Sequence, residues 1–192
     1  MFIDYLTIML LNLGAGLVLL AFFVFRLNNM DNAEKRRWVP GFTITGFTGL
    51  VTGIHMIFTW PLPGSFNIAF GEMSVLFSIL FLGAALALAK DYQLLSVTIY
   101  ALFAGGAALV VGIRIINLGL TKEPAMSGAG FILTGIGGIL STPTYLLRNK
   151  KGVALLCGAV LLIAAVIWFI TVYGSYWGHL ESFKDWKPVH MR

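Results

Sequence analysis

The chain has 192 residues, of which 58% are hydrophobic and 11% charged, with a formal net charge of +5 and a mean hydropathy of +0.88. A soluble domain carries about 25% charged residues, so the composition excludes a water-facing globular fold and indicates an integral membrane protein built as one unit. The positive balance does not indicate nucleic-acid binding, because the basic residues are spread over short loops that flank apolar runs.

A helix needs about 20 apolar residues to cross a bilayer. In chain order, residues 2–25, 42–60, 66–89, 94–118, 128–147 and 153–177 meet that length. No basic region precedes the first run, and Arg26 and Lys35-Arg36-Arg37 follow it, so it reads as a retained span and not as a cleaved leader. The predicted fold is an all-α membrane bundle of six helices over residues 1–177, with a polar and aromatic tail over 178–192. The one cysteine, Cys157, lies in an apolar run and reads as a small buried hydrophobe.

Loops on the cytoplasmic side are enriched in Lys and Arg. Arg26, Lys35, Arg36, Arg37, Lys90, Arg148, Lys150 and Lys151 fall on one side, against Arg114, Lys122, Lys184, Lys187 and Arg192 on the other. Both termini are therefore expected outside, in the plasma membrane of a prokaryotic cell. Trp38, Trp60 and Trp177 fall at the expected interfaces, where indole rings prefer to sit.

Two stretches look alike. Residues 41–53 read GFTITGFTGLVTG and residues 130–142 read GFILTGIGGILST. Such a likeness suggests two half-repeats, about 1–92 and 93–177, of three spans each. An odd number of spans per half makes the repeat inverted, as in many transporters. In the second span Thr45, Thr48, Thr52, His55 and Thr59 recur at helical spacing, beside Gly46, Gly49 and Gly53. The fifth span repeats the scheme with Gly130, Thr134, Gly137 and Ser141. Small residues let membrane helices approach closely, so spans two and five are expected to pack together at the centre, with His55 facing inward.

The ionisable groups within the spans lie near the outer ends. They are His55, Glu72, Arg114 and His179, with Asp4, Asn67 and Asn117 close by. Such groups carry an insertion cost and usually face a cavity or a partner. Glu72 is expected to open the helical part of the third span, where a carboxylate gains from the helix dipole. His55, Glu72 and Arg114, with Asn67 and Asn117, form the candidate proton or anion site. Two alternatives use other sets: a metal held by His55, Glu72 and His179, which is the two-His-one-carboxylate donor set of catalytic zinc, or a haem between His55 and His179. No HExxH or GxSxG motif and no phosphate-binding loop is present, so an enzyme is the less favoured reading.

The strings TGIHMIFTWPLPGSFNIAFGE, GIRIINLGLTKEPAMSGAGFILTG and YWGHLESF resemble an uncharacterised family of small prokaryotic membrane proteins, the domain of unknown function numbered nine hundred and eighty-one. The resemblance implies a multi-span membrane protein and carries no activity or residue role. The functional expectation is a transporter-like protein with an outward-facing polar site, proton-linked or anion-binding, in contact with the lipid bilayer. Its alternatives are a metal- or haem-bearing redox subunit, an in-membrane metalloenzyme, and an accessory subunit that packs against a membrane-protein partner or a second copy of itself.

Overall fold

A computed structural model describes residues 5–187. Helix α1 spans Leu6–Arg26 and ends in a short 3-10 turn, Leu27–Asn29. The five-residue α2 (Asn32–Arg36) follows, then α3 (Val39–Thr59). A π-helical turn at Asn67–Glu72 leads into α4 (Met73–Ala89). Then come α5 (Leu95–Leu118), α6 (Pro124–Leu146) and α7 (Lys151–Ser182). Among the described residues, six of these helical segments are long and apolar enough to cross a membrane, and none is a strand. The fold is the expected all-α membrane bundle.

Local chemistry sets the ends. Asp31 and Glu34 form a reciprocal capping box on α2, which satisfies two otherwise unpaired backbone donors. Prolines occupy the first turn of α3 and of α6, where the missing N–H costs nothing. Gly119 closes α5 in the left-handed conformation at φ 60°. Helix α7 has 32 residues, about 48 Å at 1.5 Å per residue, against a hydrocarbon layer of about 30 Å. It therefore runs past the predicted end at residue 177 and takes in the first part of the predicted tail. Trp177 and Leu180 are exposed on this extension. Asp4, His190 and the last part of the tail lie outside the described residues.

The six long helices close into a ring. Neighbours around it are α1, α3, α4 with its π turn, α5, α6, α7, and α1 again. Each of these helices is adjacent in space to its chain neighbour, as short connections dictate. The expectation that spans two and five meet at the centre is corrected here: α3 packs on α4 and α1, while α6 packs on α5 and α7. The small residues are docking faces for other partners. A Cβ on Gly46, Gly49 or Gly53 would meet Leu82, Ser78 and Val75 of α4. A Cβ on Gly130 or Gly137 would meet Trp168 and Leu161 of α7.

The core concentrates between α1, α6 and α7. Trp168 is fully buried, packs edge-on against Phe131 and donates its indole N–H to Thr134 Oγ1 at 3.1 Å. Buried indoles usually find such a partner. Where α3 meets α4, Gly49 leaves room for three polar side chains. Ser74 donates to the Gly49 carbonyl at 3.0 Å, and Asn12 donates to the Thr45 carbonyl at 2.9 Å. Ser78 Oγ is fully buried and has no hydrogen-bond partner. Removing an unsatisfied hydroxyl removes its desolvation penalty. Ser78→Ala is therefore expected to leave the melting temperature of the detergent-solubilised protein unchanged or raised, and a clear drop would mean that the hydroxyl is bonded after all.

Candidate functional site

Most of the polar residues singled out in the sequence are exposed. His55 is exposed, contrary to the expected inward orientation. The buried stripe of α3 is Phe42, Thr45, Gly46, Gly49, Gly53 and Met56, and His55 stands about 200° around the helix from Gly53. Its Nδ1 lies 3.0 Å from the Tyr5 hydroxyl and 3.3 Å from Thr59 Oγ1. The Tyr5 and His55 rings meet edge to face at 5.3 Å. Burial pushes the Tyr5 phenol up, with the Thr59 hydrogen bond acting in the other direction. The Tyr5 hydroxyl and His55 Nδ1 share this hydrogen bond, and the imidazole tautomer sets which of them donates. This trio ties the start of α1 to the end of α3.

Asn67 is fully buried and is spent on a loop. Its carboxamide oxygen accepts from the Leu62 N–H at 3.0 Å, and its amide donates to the carbonyls of Leu62 and Gly64. It thus clasps the Trp-Pro-Leu-Pro-Gly turn in which Trp60 and Gly64 adopt left-handed backbone angles.

Glu72 does not begin its helix. Helical structure starts at Phe66, so Glu72 sits more than one turn inside, past the reach of the dipole at the N-terminus. Glu72, Arg114 and Asn117 are exposed. Glu72 and Arg114 form no ion pair; the ion pair found among the described residues is Arg36–Asp91, at the other end of the bundle. His179 packs against Phe183 at 5.7 Å. Among the described residues no three His, Cys, Asp or Glu side chains are grouped so as to hold a metal, so His55, Glu72 and His179 are not the metal set considered from the sequence.

The feature that converges lies inside the ring. A cavity of about 180 Å³ is lined from α1, the π turn, α4, α5 and α6. Its walls are almost wholly hydrocarbon, with Leu13, Phe70, Phe77, Leu80, Ala101 and Ala104 among them. A few polar atoms interrupt the wall. Asn12 and Ser74 come from the cluster at Gly49, and Thr98, Ser141 and Thr144 stand toward the α2 end. Thr98 and Ser141 return their hydroxyl protons to helix carbonyls. Thr144 is 3% exposed, and its hydroxyl faces the Cys157 thiol. The cavity lies behind the seam between α4 and α5, the most thinly packed seam of the ring. Phe77, Leu80, Ala101 and Ala104 are only half-buried on its two sides.

No local sequence pattern marks this cavity. Its wall residues are of the same types as those that face lipid, and only the π turn, a feature often found at functional sites, distinguishes the segment that supplies Phe70.

A protein-family model described as "Protein of unknown function (DUF981)" matches residues 1–182. No curated protein and no solved structure matches the chain.

Proposed function

We propose, for a chain that belongs to the DUF981 family of proteins of unknown function, a transporter-like role in which the bundle interior binds an apolar molecule or chain drawn sideways from the bilayer. The observation that carries this reading is the hydrocarbon-walled cavity of about 180 Å³ behind the α4–α5 seam. Ligand sites are typically concave and apolar with a few placed polar groups. An apolar cavity of about 150 Å³ in another protein stays dry and binds benzene, so this one suits a short length of hydrocarbon chain. The half-buried residues on either side of the seam supply the route of entry.

This reading keeps transport from the sequence and moves the site. A proton or anion site at His55, Glu72 and Arg114 would need those groups to share a pocket, and each is exposed. The inverted three-plus-three repeat belongs to the same proposal. The likeness of residues 41–53 to residues 130–142 supports it. The Lys and Arg bias supports termini outside and the α2 end inside the cell, in a prokaryotic plasma membrane.

Ala104 lines the cavity, and Ala104→Phe would fill it. In detergent, Ala104→Phe is expected to bind an apolar naphthylamine fluorophore about tenfold more weakly or worse, which corresponds to about 1.4 kcal/mol, with its melting temperature kept. Equal binding by the two proteins would remove the cavity as the site.

A further inference from the structure

The apolar cavity shares wall residues with a polar cleft. At the α2 end a cleft of about 550 Å³ is lined by Lys35, Asp91, Tyr92, Gln93, Arg148 and Asn149, among others. Leu27, Leu94 and Tyr145 line both the cleft and the apolar cavity. Three separate connections meet there: the stretch from α1 through α2, the turn from α4 to α5, and the turn from α6 to α7.

The charge of this cleft is one-sided. Asp91 is its acid, and Arg36 holds that carboxylate at 2.6 Å. Lys35 and Arg148 line the same cleft and have no ion pair. The Arg148 guanidinium lies 5.9 Å from the centre of the Tyr145 ring, and Tyr145 is one of the residues shared with the cavity. Two uncompensated cations therefore line a cleft that shares a wall with a hydrocarbon chamber, and the amides of Gln93 and Asn149 line it with them.

We propose that cavity and cleft are one site for an anionic membrane phospholipid. A short length of one acyl chain occupies the cavity, and the phosphate sits between Lys35 and Arg148. This rests on the cavity reading above and names the ligand class. The physical case is the match of both ends. An apolar chain is stabilised in the dry chamber, while a phosphate cannot follow it there without a large desolvation cost. A guanidinium presents a planar fork that pairs bidentately with phosphate, and an ammonium adds a compact charge. Lys and Arg at a membrane surface also attract anionic lipids. The cleft differs from that general attraction in coupling two cations to a specific chain pocket.

The test uses the full chain in detergent micelles, with labelled phosphatidylglycerol and phosphatidylcholine of the same acyl chains. The wild type is expected to retain one phosphatidylglycerol per chain and to prefer it about tenfold or more over phosphatidylcholine, in line with two surface cations. Lys35→Gln/Arg148→Gln is expected to lose the preference while still binding the apolar fluorophore. Lys35→Arg/Arg148→Lys, which keeps both charges, is expected to retain it, which guards against misfolding. Arg37 is exposed outside the cleft, and Arg37→Gln is expected to change nothing.

Fluorophore binding without a phosphatidylglycerol preference overturns the headgroup site and leaves the cavity reading standing. Loss of fluorophore binding on Ala104→Phe with no lipid retained by the wild type has the same meaning. A preference lost equally in Arg37→Gln overturns the proposal in favour of surface charge alone. Full displacement of the lipid by inorganic phosphate would mean that a soluble anion, and not a lipid, is the ligand.

Discussion

Gly105→Leu is expected to abolish a stable fold, while Gly106→Leu, one residue further on, is expected to be tolerated. A Cβ on Gly105 would lie 2.5 Å from the Gly135 carbonyl oxygen and 2.9 Å from the Ile139 nitrogen. Both are backbone atoms of α6, so no side chain can rotate out of the way. The contact is reciprocal, since a Cβ on Gly135 would lie 2.6 Å from the Gly105 oxygen. It is also repeated about two turns away, where a Cβ on Gly112 or Gly128 would lie 2.7 Å from the other's carbonyl oxygen. Close backbone approach of this kind is how small residues hold membrane helices together. A side chain at position 105 would force α5 off α6 and break the neighbouring contacts with it. Overpacking costs about 1–3 kcal/mol where side chains can yield, and a clash with backbone belongs at or above the top of that range. At Gly106 a Cβ meets nothing within 4 Å. Size-exclusion profiles and thermal melts of the two variants check this: aggregation or a steep fall in melting temperature for Gly105→Leu, and a profile close to wild type for Gly106→Leu. Equal behaviour would mean that α5 and α6 stand further apart than described.

That glycine ladder shows what the sequence makes legible and what it hides. Six spans can be read because apolar runs contrast with short charged loops, and their ends fall within a few residues of the observed helices except at α7. The stripe of Gly46, Gly49 and Gly53 can also be read as a packed face, because helical periodicity is local. The partner of that face is not local. Gly46 meets α4 and Gly130 meets α7 only because the ring closes that way, and no spacing within one helix encodes the closure. The same limit explains His55. The Thr stripe shares a helical face with it, yet close approach selects the glycines, so only Thr45 is buried, Thr48 and Thr52 fall at the edge of the contact, and Thr59 and His55 are exposed.

The cavity is hidden for a different reason. It is an absence of atoms among Leu, Phe and Ala residues whose identities match those facing lipid, and composition cannot mark a void. The basic cleft is partly legible. Lys35 and Arg148 bear on orientation in the sequence, but their convergence with Asp91 and Tyr145 depends on three connections folding onto one another.

Asn67 carries the second large expectation, and it could have been read from its neighbours. An Asn three residues after a Pro-Leu-Pro-Gly turn is placed to hydrogen-bond that turn's backbone, as Asn side chains commonly do in loops. The structure gives it three such bonds and buries its side chain fully. Asn67→Leu keeps the approximate volume and removes every bond. It leaves the Leu62 N–H and the Leu62 and Gly64 carbonyls without their partner. A buried group left unsatisfied costs about 1–3 kcal/mol, and because Leu62 is half-buried and Gly64 exposed a loss of about 1–3 kcal/mol in all is expected. Asn117→Leu serves as the control, because Asn117 is exposed and surface substitutions usually stay within about 0.5 kcal/mol. The effect should also reach the cavity. The clasped turn leads directly into the π turn that presents Phe70 to the cavity wall. Asn67→Leu is therefore expected to weaken fluorophore binding even at temperatures where it remains folded, and Asn117→Leu to leave binding unchanged. If Asn67→Leu matched the control in both melting temperature and binding, the turn would be held by its own prolines and by the left-handed Trp60 and Gly64. The carboxamide would then be free for a ligand at the rim, as the sequence alone suggests.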